Sequence, residues 1–200
     1  SRFDGLRWRN FTNHNLGAEP YPWAGNEPMA GLFQDSSGTH WMGGNGIGPW
    51  HSDTGQFDGF WNWQNNPGMG VTLFPHFAED GSGRIFAADD YGLVMRFDPA
   101  QSLWIPALDV YAPSGPGGMH TDAKGDVFVA AWFDVHRWDG ATWTTVVQPS
   151  PNYFFDLGGI NAFEIAPDGT FWFGTNEGLV RWDGASDWDL FQPGATPLTG

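Results

Sequence analysis

Histidine side chains are the groups through which this chain could carry out acid–base or metal chemistry. His76 and His120 lie on segments predicted to form strands, where either imidazole could act as a general base beside a carboxylate. A hydrogen-bonded structural role is the alternative for both. None of the histidines shows the H-x-H or H-E-x-x-H spacing typical of a transition-metal site. Catalysis at His76 or His120 is therefore one hypothesis.

Acidic turn residues are the second group with possible chemistry. Asp89 and Asp90, together with Asp134 and Glu177, offer the hard oxygen ligands that Ca²⁺ prefers, but the EF-hand spacing is absent. Solvated turn carboxylates are the alternative. The chain has no cysteine, so disulfides and thiolate metal sites are excluded. We predict no cofactor, with calcium or magnesium as the alternative.

Aromatic residues outside the repeat pattern described below are the third group. Such rings beside amides and carboxylates suit stacking on sugars or other flat ligands. A loop held in place by its own aromatic residues is the alternative. The predicted ligand-binding residues are Tyr21, Trp23, Trp132, Asp134, Tyr153, Phe154, Asn176 and Glu177.

Net charge narrows the range of partners. The formal charge is −15, from 8 Lys+Arg against 23 Asp+Glu. A surface of this sign repels phosphate backbones and anionic membranes, which argues against nucleic acid as a partner. No run of about 18 apolar residues occurs, so no membrane-spanning segment is predicted. The absence of an initiating Met or leader before Ser1 fits a processed exported protein or an excised fragment.

A short sequence motif that recurs four times indicates which structural elements position these residues. Its anchoring glycines are Gly38, Gly83, Gly125 and Gly169, which are 45, 42 and 44 residues apart. A period of about 40–50 residues with four short strands per unit is typical of a β-propeller blade. The predicted fold is therefore all-β, a propeller of four-stranded antiparallel blades. The predicted blades are residues 28–63, 71–105, 117–147 and 160–191.

Each repeat predicts four strands. The first ends in a turn that contains Asp and Gly, and the second ends in small residues that suit close packing between blades. The third ends in Arg-aromatic-Asp, and the fourth begins at an aromatic residue. The predicted starts of the fourth strands are Trp61–Trp63 in the longer second linker, Trp104, Trp143 and Trp188.

The two ends of the sequence repeat one another. Arg2-Phe3-Asp4-Gly5 returns as Arg181-Trp182-Asp183-Gly184, four periods later. Residues 1–11 are therefore predicted to be the outer edge of a preceding blade, beside four complete blades. We expect an arc of a larger propeller, completed by further sequence or by another chain that pairs with its edges, because open strand edges invite association.

The segment 168–191 resembles the two-component-regulator propeller repeat, D-x-x-G-x-[WI]-[WFI]-G-T-x-x-G-L-x-[RK]-[FWY]-D-G. The copy at 35–51 matches in part, and the copies at 80–98 and 122–140 match more loosely. The resemblance implies an extracytoplasmic sensor or binding region, often for carbohydrate-derived ligands. The matching residues are Asp168, Gly169, Trp172, Gly174, Thr175, Gly178, Leu179, Arg181, Trp182, Asp183 and Gly184.

Blade topology predicts where a ligand would bind. The long linkers that enter the first strands share one rim with the turns between second and third strands, and ligand sites gather at such rims. The main hypothesis is a non-enzymatic binding module for a glycan or a protein, secreted, periplasmic or on the cell surface. One alternative is a lyase or hydrolase similar to streptogramin B lyase, with a His general base and a divalent cation. Another is a structural subunit of a larger assembly.

Overall fold

The computed structural model describes most of the chain. The described residues are 2–3, 8–9, 29–51, 56–70, 72–110, 116–146, 148–150 and 152–194, with backbone alone at 2–3, 8–9 and 56. The predicted site residues Tyr21 and Trp23 therefore lie outside the described part. No helix within it has the length and apolar character needed to cross a bilayer.

The described strands form one two-stranded hairpin and four sheets of four antiparallel strands, each in sequential order. One short helix, α1 (Tyr153–Asp156), precedes the fourth sheet. The hairpin is β1 (Arg2–Phe3) and β2 (Trp8–Arg9); the first sheet is β3 (Gly31–Gln34), β4 (His40–Gly43), β5 (Ile47–His51) and β6 (Gln56–Phe57); the second is β7 (His76–Glu79), β8 (Ile85–Ala88), β9 (Leu93–Asp98) and β10 (Leu103–Asp109); the third is β11 (Pro116–Thr121), β12 (Val127–Ala131), β13 (Asp134–Trp138) and β14 (Trp143–Thr145); the fourth is β15 (Ile160–Ile165), β16 (Phe171–Thr175), β17 (Leu179–Trp182) and β18 (Trp188–Phe191).

The turn between the first and second strands has the predicted chemistry. In the second sheet, Asp80 Oδ1 accepts hydrogen bonds from the backbone N–H of Ser82 at 2.9 Å and of Arg84 at 3.0 Å. The glycine of this turn, Gly83, has a φ of 83°, which residues with a Cβ rarely adopt. The glycines at the corresponding turns, Gly38, Gly125 and Gly169, have φ values of 89°, 88° and 86°.

Three apolar seams hold successive sheets together, and the first strands of neighbouring sheets contact one another. Trp41 and Ile47 of the first sheet pack against Phe77 and Trp104 of the second. Phe86 and Val94 of the second sheet pack against Met119 and Trp138 of the third, and Phe128 and Val135 of the third pack against Phe163 and Phe173 of the fourth. The core therefore lies between the sheets rather than within any one of them.

A buried carboxylate reinforces the seam between the second and third sheets. Asp80 is 1% exposed, and its Oδ2 accepts hydrogen bonds from Arg84 Nε at 2.6 Å and from Trp138 Nε1 at 3.0 Å. Arg84 also lies over the Trp138 ring and donates to the Gly140 carbonyl at 2.7 Å. Burial acts to raise the pKa of Asp80, but the hydrogen bonds outweigh it and hold that pKa below its ordinary value.

The fourth strand of the first sheet is not where we predicted it. It is β6 (Gln56–Phe57), whereas Trp61 forms only an isolated bridge with Ile47. Gly48 leaves room for Phe57 against the sheet, because a Cβ there would lie 2.5 Å from the Gly59 carbonyl oxygen and 2.8 Å from the Phe57 ring. The Trp61 indole instead reaches the second sheet, where Nε1 donates to the Ser102 carbonyl at 2.6 Å.

Candidate functional site

The predicted rim is assembled where the linker before the fourth sheet meets the turn between β12 and β13. Gln148 Nε2 donates to the Phe133 carbonyl at 2.9 Å and to Asp134 Oδ1 at 3.0 Å. At the other end of the linker, the Ile160 N–H donates to the Trp132 carbonyl at 2.6 Å. The linker is therefore fixed to this turn at two points.

Three aromatic rings follow one another along this contact. The rings of Trp132 and Phe133 stack with centroids 4.4 Å apart, and the edge of Phe155 meets Phe133 at 5.0 Å. Trp132 also packs so closely on Gly159 that a Cβ there would lie 2.2 Å from the indole Cδ1. The Phe155 side chain is 61% exposed. The result is a fixed aromatic base with one ring open to solvent.

Two of the predicted aromatic residues belong to the core instead. Phe154 is fully buried and packs on Phe173 and Trp188, so it cannot reach a ligand. The first turn of α1 directs Phe154 inward and Phe155 outward, so the predicted ligand contact of Phe154 does not fit its burial. Tyr153 is half-buried against Phe154 and Trp188; burial, with the charge of Asp189, raises the pKa of its hydroxyl.

Polar side chains lie in the turns between second and third strands of the third and fourth sheets. Asp134 is exposed beside Gln148, and Glu177 is exposed in the turn between β16 and β17. Asn176 Nδ2 donates to the Gly158 carbonyl at 2.8 Å, and its Oδ1 accepts from Asn161 Nδ2 at 2.8 Å. We call Trp132, Phe133, Asp134, Gln148, Phe155 and Asn176 the rim surface.

Three residues of the rim surface, Phe133, Gln148 and Phe155, are not among the predicted ligand-binding residues. Phe133 and Phe155 adjoin predicted residues, so the aromatic pairs Trp132-Phe133 and Phe154-Phe155 were the available signal. Gln148 gave no signal, because its contact with Asp134 spans 14 residues and depends on how the linker folds back.

Asp89 and Asp90 hold backbone turns. Asp89 is 2% exposed, and its Oδ1 accepts from the N–H groups of Tyr91 at 3.0 Å and Leu93 at 2.8 Å. Asp90 Oδ1 accepts from the Leu73 N–H at 3.1 Å, which ties this turn to the linker that enters the second sheet. The turn of the second sheet therefore contacts the linker that enters its own sheet, as Asn176 contacts Gly158 at the fourth sheet.

The two candidate histidines lie on first strands of neighbouring sheets. Burial lowers the pKa of His76; the nearby His120 acts in the same direction, and a hydrogen bond with the Pro116 backbone opposes both. His120 Nδ1 lies 3.5 Å from Glu164 Oε1 on the next sheet, and its ring meets the edge of Phe163. An imidazole thus lies beside a carboxylate at the innermost strands.

Among the described residues, no group of three or more His, Asp or Glu side chains is arranged to hold a metal ion. Oδ1 of Asp89 and Oδ1 of Asp90 accept hydrogen bonds from backbone N–H groups.

A surface depression lies at the rim opposite the rim surface, between the third and fourth sheets. It combines cations, carboxylates and buried rings from the two sheets, and the repeat pattern gave no indication of it. Lining residues include Asp122, Lys124, Phe128, Arg137, Phe171 and Asp183.

Comparison with known proteins supports the architecture. No protein-family model matches the chain, and no curated protein matches it in sequence. Virginiamycin B lyase from Staphylococcus aureus superposes with a TM-score of 0.65 at 13% identity, over 86% of this chain and 57% of that chain. This chain and such structures share repeated antiparallel sheets. The four sequential sheets, with their first strands in contact, decide the fold. The chain has the β-propeller fold.

Two other solved structures are similar to this chain. The extracellular domain of the hybrid two-component system BT3049 from B. thetaiotaomicron superposes with a TM-score of 0.67 at 14% identity, over 83% of this chain and 23% of that chain. The WD40 repeats of RRP9 superpose with a TM-score of 0.66 at 9% identity, over 84% of this chain and 52% of that chain. This propeller chain spans little more than half of the lyase, and identities this low establish the shared fold alone.

Proposed function

We propose that this propeller is a sensor-type binding module that takes a glycan on the rim surface, outside the cytoplasm. The observation that carries the proposal is the exposed Phe155 ring, which packs on Phe133 and through it on Trp132, while Asp134 and Asn176 contact the same linker at Gln148 and Gly158. Binding, with no covalent step, is the chemistry that these groups support.

The physical basis is the match between this surface and a sugar ring. The C–H face of a sugar packs on an aromatic ring, and amides and carboxylates accept or donate hydrogen bonds to its hydroxyls. The Trp132–Phe133 stack and the Gln148 hydrogen bonds fix the surface before a ligand arrives, which reduces the ordering cost of binding.

Charge selects among sugars. With a net charge of −15 and exposed Asp134 and Glu177 in turns between second and third strands, the surface repels sulfated and uronic-acid polymers. We therefore propose neutral or amino sugars as the ligand class. The location outside the cytoplasm is supported by the resemblance of 168–191 to sensor propeller repeats and by the fold shared with an extracellular sensor domain.

A glycan array followed by titration calorimetry tests the proposal. We expect binding to neutral or amino glycans, and Phe155→Ala to weaken it about tenfold, equivalent to about 1.4 kcal/mol. Leu190→Ala is the matched control, because Leu190 is also an exposed apolar residue but lies at the outer edge of the fourth sheet. Unchanged affinity of the Phe155 variant, or binding to proteins alone, would overturn the proposal.

A further inference from the structure

The rim opposite the rim surface carries a polar link between sheets at each of the first two seams. In the first seam, Ser36 donates from its N–H and from its hydroxyl to the two Glu79 carboxylate oxygens, each at 2.6 Å. In the second seam, the Arg84 guanidinium joins Asp80 of its own sheet, at 2.6 Å, to the Gly140 carbonyl of the third sheet, at 2.7 Å. Side chains of the protein itself therefore close this rim at both seams.

The third seam has no such link among the described residues. Asp126 occupies the position of Arg84, four residues after the turn aspartate, and its carboxylate accepts from Arg137 Nε of the same sheet at 2.8 Å. Ala123 occupies the position of Ser36. The surface depression, with a volume of about 520 Å³, lies at this point between two sheets whose four strands are all described. It corresponds to the space that Arg84 fills at the second seam.

One carboxylate oxygen at the depression has no donor within the described part of the chain. Asp122 is the counterpart of Asp80, and its Oδ1 closes the turn through the N–H groups of Lys124 at 2.9 Å and Asp126 at 3.0 Å. Oδ2 of Asp80 accepts from Arg84 and from an indole of the next sheet, whereas no described donor reaches Oδ2 of Asp122. Asp122 therefore offers a charged acceptor to a ligand in the depression.

The opposite wall repeats the other two groups that hold the guanidinium in the second seam. There Arg84 donates to the Gly140 carbonyl, and its Cζ lies 5.2 Å from the centre of the Trp138 ring. Gly184 and Trp182 hold the corresponding positions in the fourth sheet, and both line the depression. The Trp182 indole N–H donates within its own turn instead of crossing to the third sheet as that of Trp138 does. A carboxylate, a carbonyl and a ring thus recur without the cation.

The charges around the depression favour a cation. Arg137 is paired with Asp126, which leaves Asp122 and Asp183 against Lys124. The molecule as a whole carries a charge of −15, and its field attracts cations and repels anions. A guanidinium fits better than an ammonium, because its planar fork can donate to a carboxylate and a carbonyl at once and can lie flat on an aromatic ring.

We propose that the depression binds an arginine side chain of a peptide or protein partner, between Asp122 and the Gly184 carbonyl and beside Trp182. The partner supplies the cation that Arg84 supplies from within the chain at the second seam. This site lies at the rim opposite the rim surface, so it stands or falls independently of the proposed glycan site.

Three short blocked peptides, each added to the full chain in a ¹⁵N–¹H NMR titration, test the site. The peptide Gly-Arg-Gly should shift the amide signals of Lys124 and Ala185, which line the depression. The peptide with lysine should bind more weakly, and the one with citrulline, which keeps the shape of arginine without its charge, should give no shift. Absence of shifts at Lys124 and Ala185 with the arginine peptide, or equal affinity for either of the other peptides, would overturn the proposal.

A pair of variants separates the site from net charge. Asp122→Asn should weaken binding of the arginine peptide about tenfold, because the amide keeps an Oδ1 for the turn but loses the charge at Oδ2. Asp109→Asn is the matched control, since it makes the same charge change at an exposed carboxylate of β10, and should bind like the wild type.

Circular dichroism must show the wild-type strand signal in both variants. If Asp122→Asn fails that check, the peptide comparison on the wild-type chain decides the matter. Unchanged affinity of Asp122→Asn, or an equal loss in Asp109→Asn, would overturn the proposal, because binding would then not depend on the carboxylate of the depression.

Discussion

At the scale of single residues, Asp80 shows how one side chain serves both a turn and a seam. Its Oδ1 closes its own turn through the N–H groups of Ser82 and Arg84, while its Oδ2 receives Arg84 and the indole of Trp138 from the third sheet. The equivalent Asp122 makes only the turn bonds, to the N–H groups of Lys124 and Asp126. Comparing Asp80 with Asp122 therefore separates the contribution of the turn bonds to stability from the contribution of the seam bonds.

Asp80→Ala should lower the free energy of unfolding by about 3 kcal/mol, because it removes the turn bonds and leaves Arg84 Nε and the buried Trp138 Nε1 without their acceptor. Asp122→Ala should cost about 1 kcal/mol, since it removes turn bonds alone. Urea unfolding followed by tryptophan fluorescence measures both. Equal losses in the two variants would contradict the cross-sheet role of Asp80.

The sequence predicted the turn role of Asp80 but not its seam role. An Asp three residues before a Gly predicts a turn from local chemistry alone. The bond to Trp138 joins residues 58 positions apart, and no local pattern encodes it. The same limit explains the rim, where adjacent Phe154 and Phe155 look alike in sequence and differ completely in exposure.

At the scale of elements, the small residues that end the second strands set how closely the sheets approach. They were predicted to suit close packing, and Gly43, Ala88 and Ala130 all lie within seams. The fourth strand of the first sheet was predicted wrongly, because the aromatic signal at Trp61 marks a seam contact with Phe97 rather than a strand start. Periodicity thus predicts strands well where the repeat is regular, and fails where a linker lengthens it.

Gly43→Ala and Gly174→Ala should differ sharply although they occupy equivalent positions. The new methyl at 43 would overlap the Phe74 carbonyl, and we expect a loss of about 3 kcal/mol in unfolding free energy. The methyl at 174 would meet only Ala162, at ordinary van der Waals distances of 3.4 Å or more, so its effect on the monomer should stay within about 0.5 kcal/mol. Chemical denaturation of dilute protein compares them, and similar losses would show that the seam does not set the requirement for glycine.

At the scale of the whole molecule, local seams hold the sheets together while long-range charge opposes compaction. Each seam joins adjacent sheets only, so stability is close to a sum over neighbouring units. The charge of −15 acts across all of them, because few of the 23 carboxylates have a cation as partner; only 8 Lys+Arg are available. The four repeated sheets were predictable from the period of the sequence. The difference in side-chain burial between the faces of these sheets required coordinates.

This balance predicts that salt stabilises the protein. Raising the ionic strength from about 0.01 M to about 0.15 M shortens the screening length from about 30 Å to about 8 Å, which weakens repulsion between sheets more than contacts within one ion pair. The melting temperature at pH 7 should therefore rise with NaCl, as followed by circular dichroism. Near the isoelectric point of about 4.3 the repulsion vanishes, so the same addition should have little effect. A melting temperature that falls with salt at pH 7 would mean that exposed pairs such as Arg181–Asp189 outweigh the net charge.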